Sequence, residues 1–98
     1  MRATATSALF FLMCVPATAG IPLVNATCLG NIEVHADEGG PIYINGEEAK
    51  LHKFNDNYFE AKHLDVTISL SISRDGSPSV SYLVPGGASG ECQIAPNL

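Results

Sequence analysis

Residues 66–73, VTISLSIS, alternate without interruption: Val66, Ile68, Leu70 and Ile72 fall on one side, Thr67, Ser69, Ser71 and Ser73 on the other. A period of two with β-branched residues on the apolar side predicts a strand with one buried face. Residues 79–84, SVSYLV, repeat the pattern, with Val80, Tyr82 and Val84 together. Directly opposed residues of an antiparallel pair share a face, so the loop length follows from matching faces. A two-residue turn at Asp75-Gly76 would set Ser69 against Tyr82 and mix them. A three-residue loop, Arg74-Asp75-Gly76, sets Leu70 against Val80, Ile68 against Tyr82 and Ser71 against Ser79. Only Thr67 and Leu83 are then mismatched. Such a loop is a type I turn closed by a left-handed residue, a role glycine fills at least cost, here Gly76. Gly39, in the loop DEGGP, is expected to tolerate substitution far better.

The same test extends upstream. Asn45-Gly46 is a preferred tight-hairpin pair, and it sets Ile42 against Ala49 and Tyr43 against Glu48. A loop at Phe54-Asn55-Asp56 sets Leu51 against Phe59 and Ala49 against Ala61. On the polar side it pairs Lys50 with Glu60, Glu48 with Lys62 and His52 with Tyr58. A loop at 62–65 sets Ala61 against Val66 and Phe59 against Ile68. Five consecutive strands then share one apolar face. The competing pattern for residues 46–54 is a short helix capped by Asn45, with Leu51, Phe54 and Tyr58 on one side. IEVHA, 32–36, is expected to add a strand and ECQI, 91–94, a last short one; DEGGP and VPGGASG are loops.

A sheet with one apolar face must be covered, and no segment here predicts a helix long enough to do it. The fold class expected is therefore all-β: a small antiparallel meander, residues 32–94, curled into a barrel or sandwich. An N-terminal arm, residues 20–31, would close it, and residues 95–98 form a tail.

Residues 1–19 are set aside as a signal peptide. Arg2 starts an apolar run, ALFFLMCV, followed by Ala17 and Ala19 in an A-x-A cleavage pattern. The run is shorter than the roughly 20 residues a membrane span needs. Its bacterial style makes the periplasm or the extracellular space the expected location. Of three cysteines, cleavage removes Cys14 and leaves Cys28 and Cys92. In an oxidising compartment a lone pair is expected to form one disulfide, useful in a domain where a core alone is marginal. Without Arg2, four basic residues face ten acidic ones. That balance argues against nucleic acid as a partner and favours a basic one.

Little in the chain suggests catalysis. GGASGE has Glu91 where a nucleophile elbow needs glycine, and Cys92 is better placed with Cys28 than with a histidine. No cofactor is expected. His35, His52 and His63, with Asp37, are the weak candidates for a metal site, since no close pair such as H-x-x-x-H occurs. His52 falls on a polar face and His63 in a loop. Asp56, Asp65 and Asp75 sit at turns without a calcium-loop pattern. The best candidate binding surface is the polar side of the sheet, where Tyr43, His52 and Tyr58 are expected together, beside Ser and Thr rows on residues 66–73 and 79–83.

In organisation, residues 28–94 resemble small exported bacterial inhibitors of lysozyme, which are disulfide-tied antiparallel β-domains. That family inserts a Ser-Gly-x-x-Tyr loop into its target. Here Ser89-Gly90 stand at the first two positions, with Gln93 in place of the tyrosine, so no site residue is carried over. The function expected is a non-enzymatic binding module with a macromolecular partner in the envelope or outside the cell. A metal-handling periplasmic protein using His35, His52 or His63 is the alternative from a different class.

Overall fold

A computed structural model describes residues 20–96, so the expected signal peptide lies outside the described residues. Ten strands follow in chain order: β1 (Val24–Cys28), β2 (Ile32–Ala36), β3 (Ile42–Ile44), β4 (Glu47–Glu48), β5 (Lys50–Asn55), β6 (Tyr58–His63), β7 (Val66–Ile72), β8 (Pro78–Leu83), β9 (Ser89–Glu91) and β10 (Gln93–Ile94). They form two antiparallel five-stranded sheets, ordered β10-β1-β2-β3-β4 and β5-β6-β7-β8-β9. The fold is all-β, and residues 46–54 are strand rather than helix.

The β7–β8 hairpin has the register that face matching requires. Leu70 faces Val80, Ile68 faces Tyr82, Ser71 faces Ser79, and the mismatch of Thr67 with Leu83 is present too. The Gly76 amide donates to the Ser73 carbonyl and the Ser73 amide to Ser77, with Gly76 at φ 89°. This is the three-residue loop. The β3–β4 hairpin likewise turns on Asn45-Gly46, with Tyr43 facing Glu48. Both turn residues are left-handed, at φ 52° and 83°.

Two other registers differ from expectation, each by two residues. Across β5–β6, Leu51 faces Ala61, His52 faces Glu60 and Lys50 faces Lys62, with a bulge between Lys53 and Asn55. The turn is Asp56-Asn57, where the Asn55 side chain accepts from the Asn57 amide at 2.7 Å. The expected cross-strand ion pairs Lys50–Glu60 and Glu48–Lys62 therefore do not form. Across β6–β7, His63 faces Val66 and Ala61 faces Ile68. This puts Leu64-Asp65 in a two-residue turn and His63 at a strand end rather than in a loop.

The five consecutive strands do not lie in one sheet either. The chain leaves β4 through buried Ala49 and begins the second sheet at Lys50. It returns through Cys92, between β9 and β10. There the Cys92 amide donates to Val80 in one sheet, and its sulfur bonds Cys28 in the other. The disulfide pins this second crossing. It closes a loop with a sequence separation of 64, which the chain-entropy model rates at about 4 kcal/mol.

Alternate residues of both sheets point into one shared core, and the sheets do not close into a barrel. Val24, Ala26, Val34, Ala36, Ile42 and Ile44 come from the first sheet, Phe59, Ala61, Ile68, Leu70, Val80 and Tyr82 from the second. The N-terminal arm contributes a full strand, β1, paired on both sides.

Candidate functional site

Because the inward positions are apolar, everything outward is available for recognition, and the two outer faces differ in kind. On the second sheet the registers align outward residues in cross-strand rows. Lys50, Lys62, Thr67 and Leu83 form one row; His52, Glu60, Ser69 and Ser81 form the next; Tyr58, Ser71 and Ser79 form the third. Cations and aromatics thus occupy the β5–β6 edge, and hydroxyls continue from it across β7 and β8.

At that edge Phe54, at the bulge in β5, keeps the outward parity of Lys50 and His52. Its ring lies 4.5 Å from that of His52 and 5.2 Å from that of Tyr58, within the range of favourable offset aromatic pairs. Phe54 is 52% exposed. The Tyr58 hydroxyl lies 3.4 Å from both Glu60 Oε2 and Ser69 Oγ, linking the aromatics to the hydroxyl rows. Beside this cluster lies a shallow concavity of about 360 Å³ lined by Lys50, Leu51, His52, Phe54, Glu60 and Lys62.

Tyr43 is not part of this cluster. It lies on β3 in the other sheet, 6.1 Å from the ring of His35, across a depression of about 470 Å³ that also includes Asn25, Thr27 and Glu33. The expected trio of Tyr43, His52 and Tyr58 is divided because the chain changes sheets at Ala49. Phe54, placed in a loop by the sequence pattern, takes the third position. Its parity with Lys50 and His52 was the signal available for finding it.

The polar groups around the first-sheet depression satisfy one another. His35 Nε2 donates to Asp37 Oδ1 at 2.7 Å, and its Nδ1 meets the Asn25 side chain at 2.7 Å. The Thr27 hydroxyl donates to Glu33. His52 and His63 stand in the other sheet, so the three histidines and Asp37 do not converge. Among the described residues no group of three or more His, Cys, Asp or Glu side chains is arranged to hold a metal ion.

Among the described residues positive charge, unlike negative, is confined to one sheet and its turns. Lys50, Lys53, Lys62 and Arg74 all belong to the second sheet or its turns, while the first carries Glu33, Glu47 and Glu48 with no lysine or arginine. The acidic excess is therefore no guide to the chemistry of the β5–β6 edge.

Ser89-Gly90-Glu91 forms edge strand β9, paired with β8, rather than a projecting loop of the lysozyme-inhibitor kind. No family model, curated protein or solved structure matches the chain.

Proposed function

We propose that this chain is a small exported, non-catalytic binding module that engages a macromolecular partner through the outer face of its second sheet, at the β5–β6 edge. The observation that carries this reading is the contact cluster of His52 and Phe54, on a strand exposed along its whole length, with Tyr58 of the neighbouring strand β6. Burying rigid aromatic surface releases water at modest entropic cost, and such side chains dominate binding surfaces. Export is supported by the N-terminal sequence pattern and is compatible with the Cys28–Cys92 disulfide. Among the described residues no helix is long and apolar enough to cross a membrane.

The test is affinity capture from envelope and culture-medium extracts with three proteins: wild type, Phe54→Ala/Tyr58→Ala, and Tyr43→Ala. The reading expects a partner retained by wild type and Tyr43→Ala and lost by the double variant. Identical partners for all three, or none for any, would remove its support, and turnover of a substrate would end the non-catalytic assignment.

A further inference from the structure

Lys50 and Lys62 face each other directly across β5 and β6. Like charges so placed repel. Among the described residues neither ammonium lies within 4.0 Å of a carboxylate; Lys53, by contrast, is paired with Asp56 at 2.9 Å. Lysine on an edge strand has a familiar use, blocking strand addition by a second molecule. That accounts for Lys50 and Lys53, but not for Lys62, which lies on β6 with a strand on each side. Both lysines line the concavity, together with His52, Phe54 and Glu60, and Glu60 stands opposite His52 in the row next to theirs.

We infer that this concavity is a subsite for a carboxylate-bearing saccharide. The inference rests on the binding role proposed above for the β5–β6 edge. An anion between Lys50 and Lys62 relieves their repulsion and gains two charge-assisted hydrogen bonds. A sugar ring offers an apolar C–H face to Phe54 and His52, and its hydroxyls suit the Glu60 carboxylate as donors. Further sugar units meet the hydroxyl rows of Ser69, Ser71, Ser79 and Ser81, which lie on the same face. An acidic peptide satisfies the lysines but makes no comparable use of a field of serines.

The experiment is an amide-resolved NMR titration with oligogalacturonate, its methyl ester and poly-L-glutamate. Wild type is compared with Lys50→Gln/Lys62→Gln and with Phe54→Ala. The expected result is shifts of amides 50–54 and 60–62 with oligogalacturonate. Affinity should fall at least tenfold on esterification and in each variant. Equal binding of acid and ester, unaffected by the lysine substitutions, overturns the carboxylate subsite while leaving the aromatic edge as a binding face. Poly-L-glutamate binding as tightly, and indifferent to Phe54→Ala, overturns the saccharide in favour of an acidic peptide. Absence of shifts with oligogalacturonate at millimolar concentration also overturns the inference, and the capture experiment then judges the broader reading separately.

Discussion

Asn45 and Glu33 hold each other by two hydrogen bonds. The Asn45 amide donates to the Glu33 carbonyl at 2.8 Å, and the Glu33 amide donates to Asn45 Oδ1, also at 2.8 Å. Where the β2–β3 ladder meets the β3–β4 turn, a side-chain oxygen thus takes the place of a backbone acceptor. Asparagine suits this position twice over: it tolerates the left-handed conformation observed, φ 52°, and it supplies the acceptor. Asn45→Ala loses both and should cost about 1–3 kcal/mol in urea unfolding. Asn45→Gly keeps the turn and should cost less. Equal losses for the two variants would show that only the hydrogen bond matters.

Leu64 occupies a left-handed position at φ 55° and is 88% exposed. A leucine there pays roughly 1–2 kcal/mol of backbone strain and recovers little through burial. Leu64→Gly should therefore raise stability by up to about 1 kcal/mol, and Leu64→Asn should do the same, read as a shift in the urea midpoint with an unchanged slope. A lower midpoint for both variants would mean that the leucine side chain has a partner on this surface.

Leu64 also shows where sequence reasoning stopped. At 74–76 a glycine marks the left-handed residue and the alternation on both flanks is complete, so the β7–β8 register was legible. At 64–65 nothing in the residue types announces a tight turn, and the observed register differs by two from the one the pattern predicts. For β5 the failure has another cause. A shift of two residues leaves the faces matched, so Leu51 against Phe59 and the observed Leu51 against Ala61 pass the apolar test equally, and only two surface ion pairs favour the first. Such pairs are worth a few tenths of a kcal/mol, too little to outweigh the Asp56-Asn57 turn and the bulge. Alternation runs through Glu48-Ala49-Lys50 unbroken, so the crossing between sheets left no mark. That hidden crossing is why the sequence pattern places Tyr43 with residues of the other sheet. Gly39, expected to tolerate a side chain, sits at φ 83°. Gly39→Val is therefore strained like Gly76→Val and cannot serve as its tolerant contrast.

Asp75 lies in the β7–β8 loop, where the Ser73 hydroxyl and then the Ser77 amide and hydroxyl hold its carboxyl down to about 2, against an ordinary 3.8. Hydrogen bonds to the charged form favour ionisation. Since the folded value lies below the unfolded one, the stabilisation is fully present above about pH 4 and is lost as pH falls toward 2. Asp75→Asn should flatten the dependence of stability on pH across this window. Carboxyl NMR titration should place the Asp75 midpoint well below the ordinary aspartate value of 3.8. A midpoint near 3.8 would show that the Ser73 and Ser77 bonds are not maintained in solution.

Phe59 and Phe54 lie five residues apart, and their contrast separates folding from recognition. Phe59 is 1% exposed at the centre of the shared core. Replacing it by alanine removes its transfer free energy and leaves a cavity, a loss of about 3–5 kcal/mol. For a domain of this size that is a large part of the total stability. Phe54 is half exposed and touches His52 and Tyr58 on the outer face. Its replacement forfeits those ring contacts, each worth about 0.5–1.5 kcal/mol at most, and opens no cavity. Phe54→Ala should thus remain folded with a modestly lowered urea midpoint, while Phe59→Ala is largely unfolded or strongly shifted. An aromatic side chain that adds so little to stability on an exposed edge is available to a ligand. If Phe54→Ala instead destabilises the domain as much as Phe59→Ala, the ring is a structural part of the sheet edge, and the binding face proposed there loses its central residue.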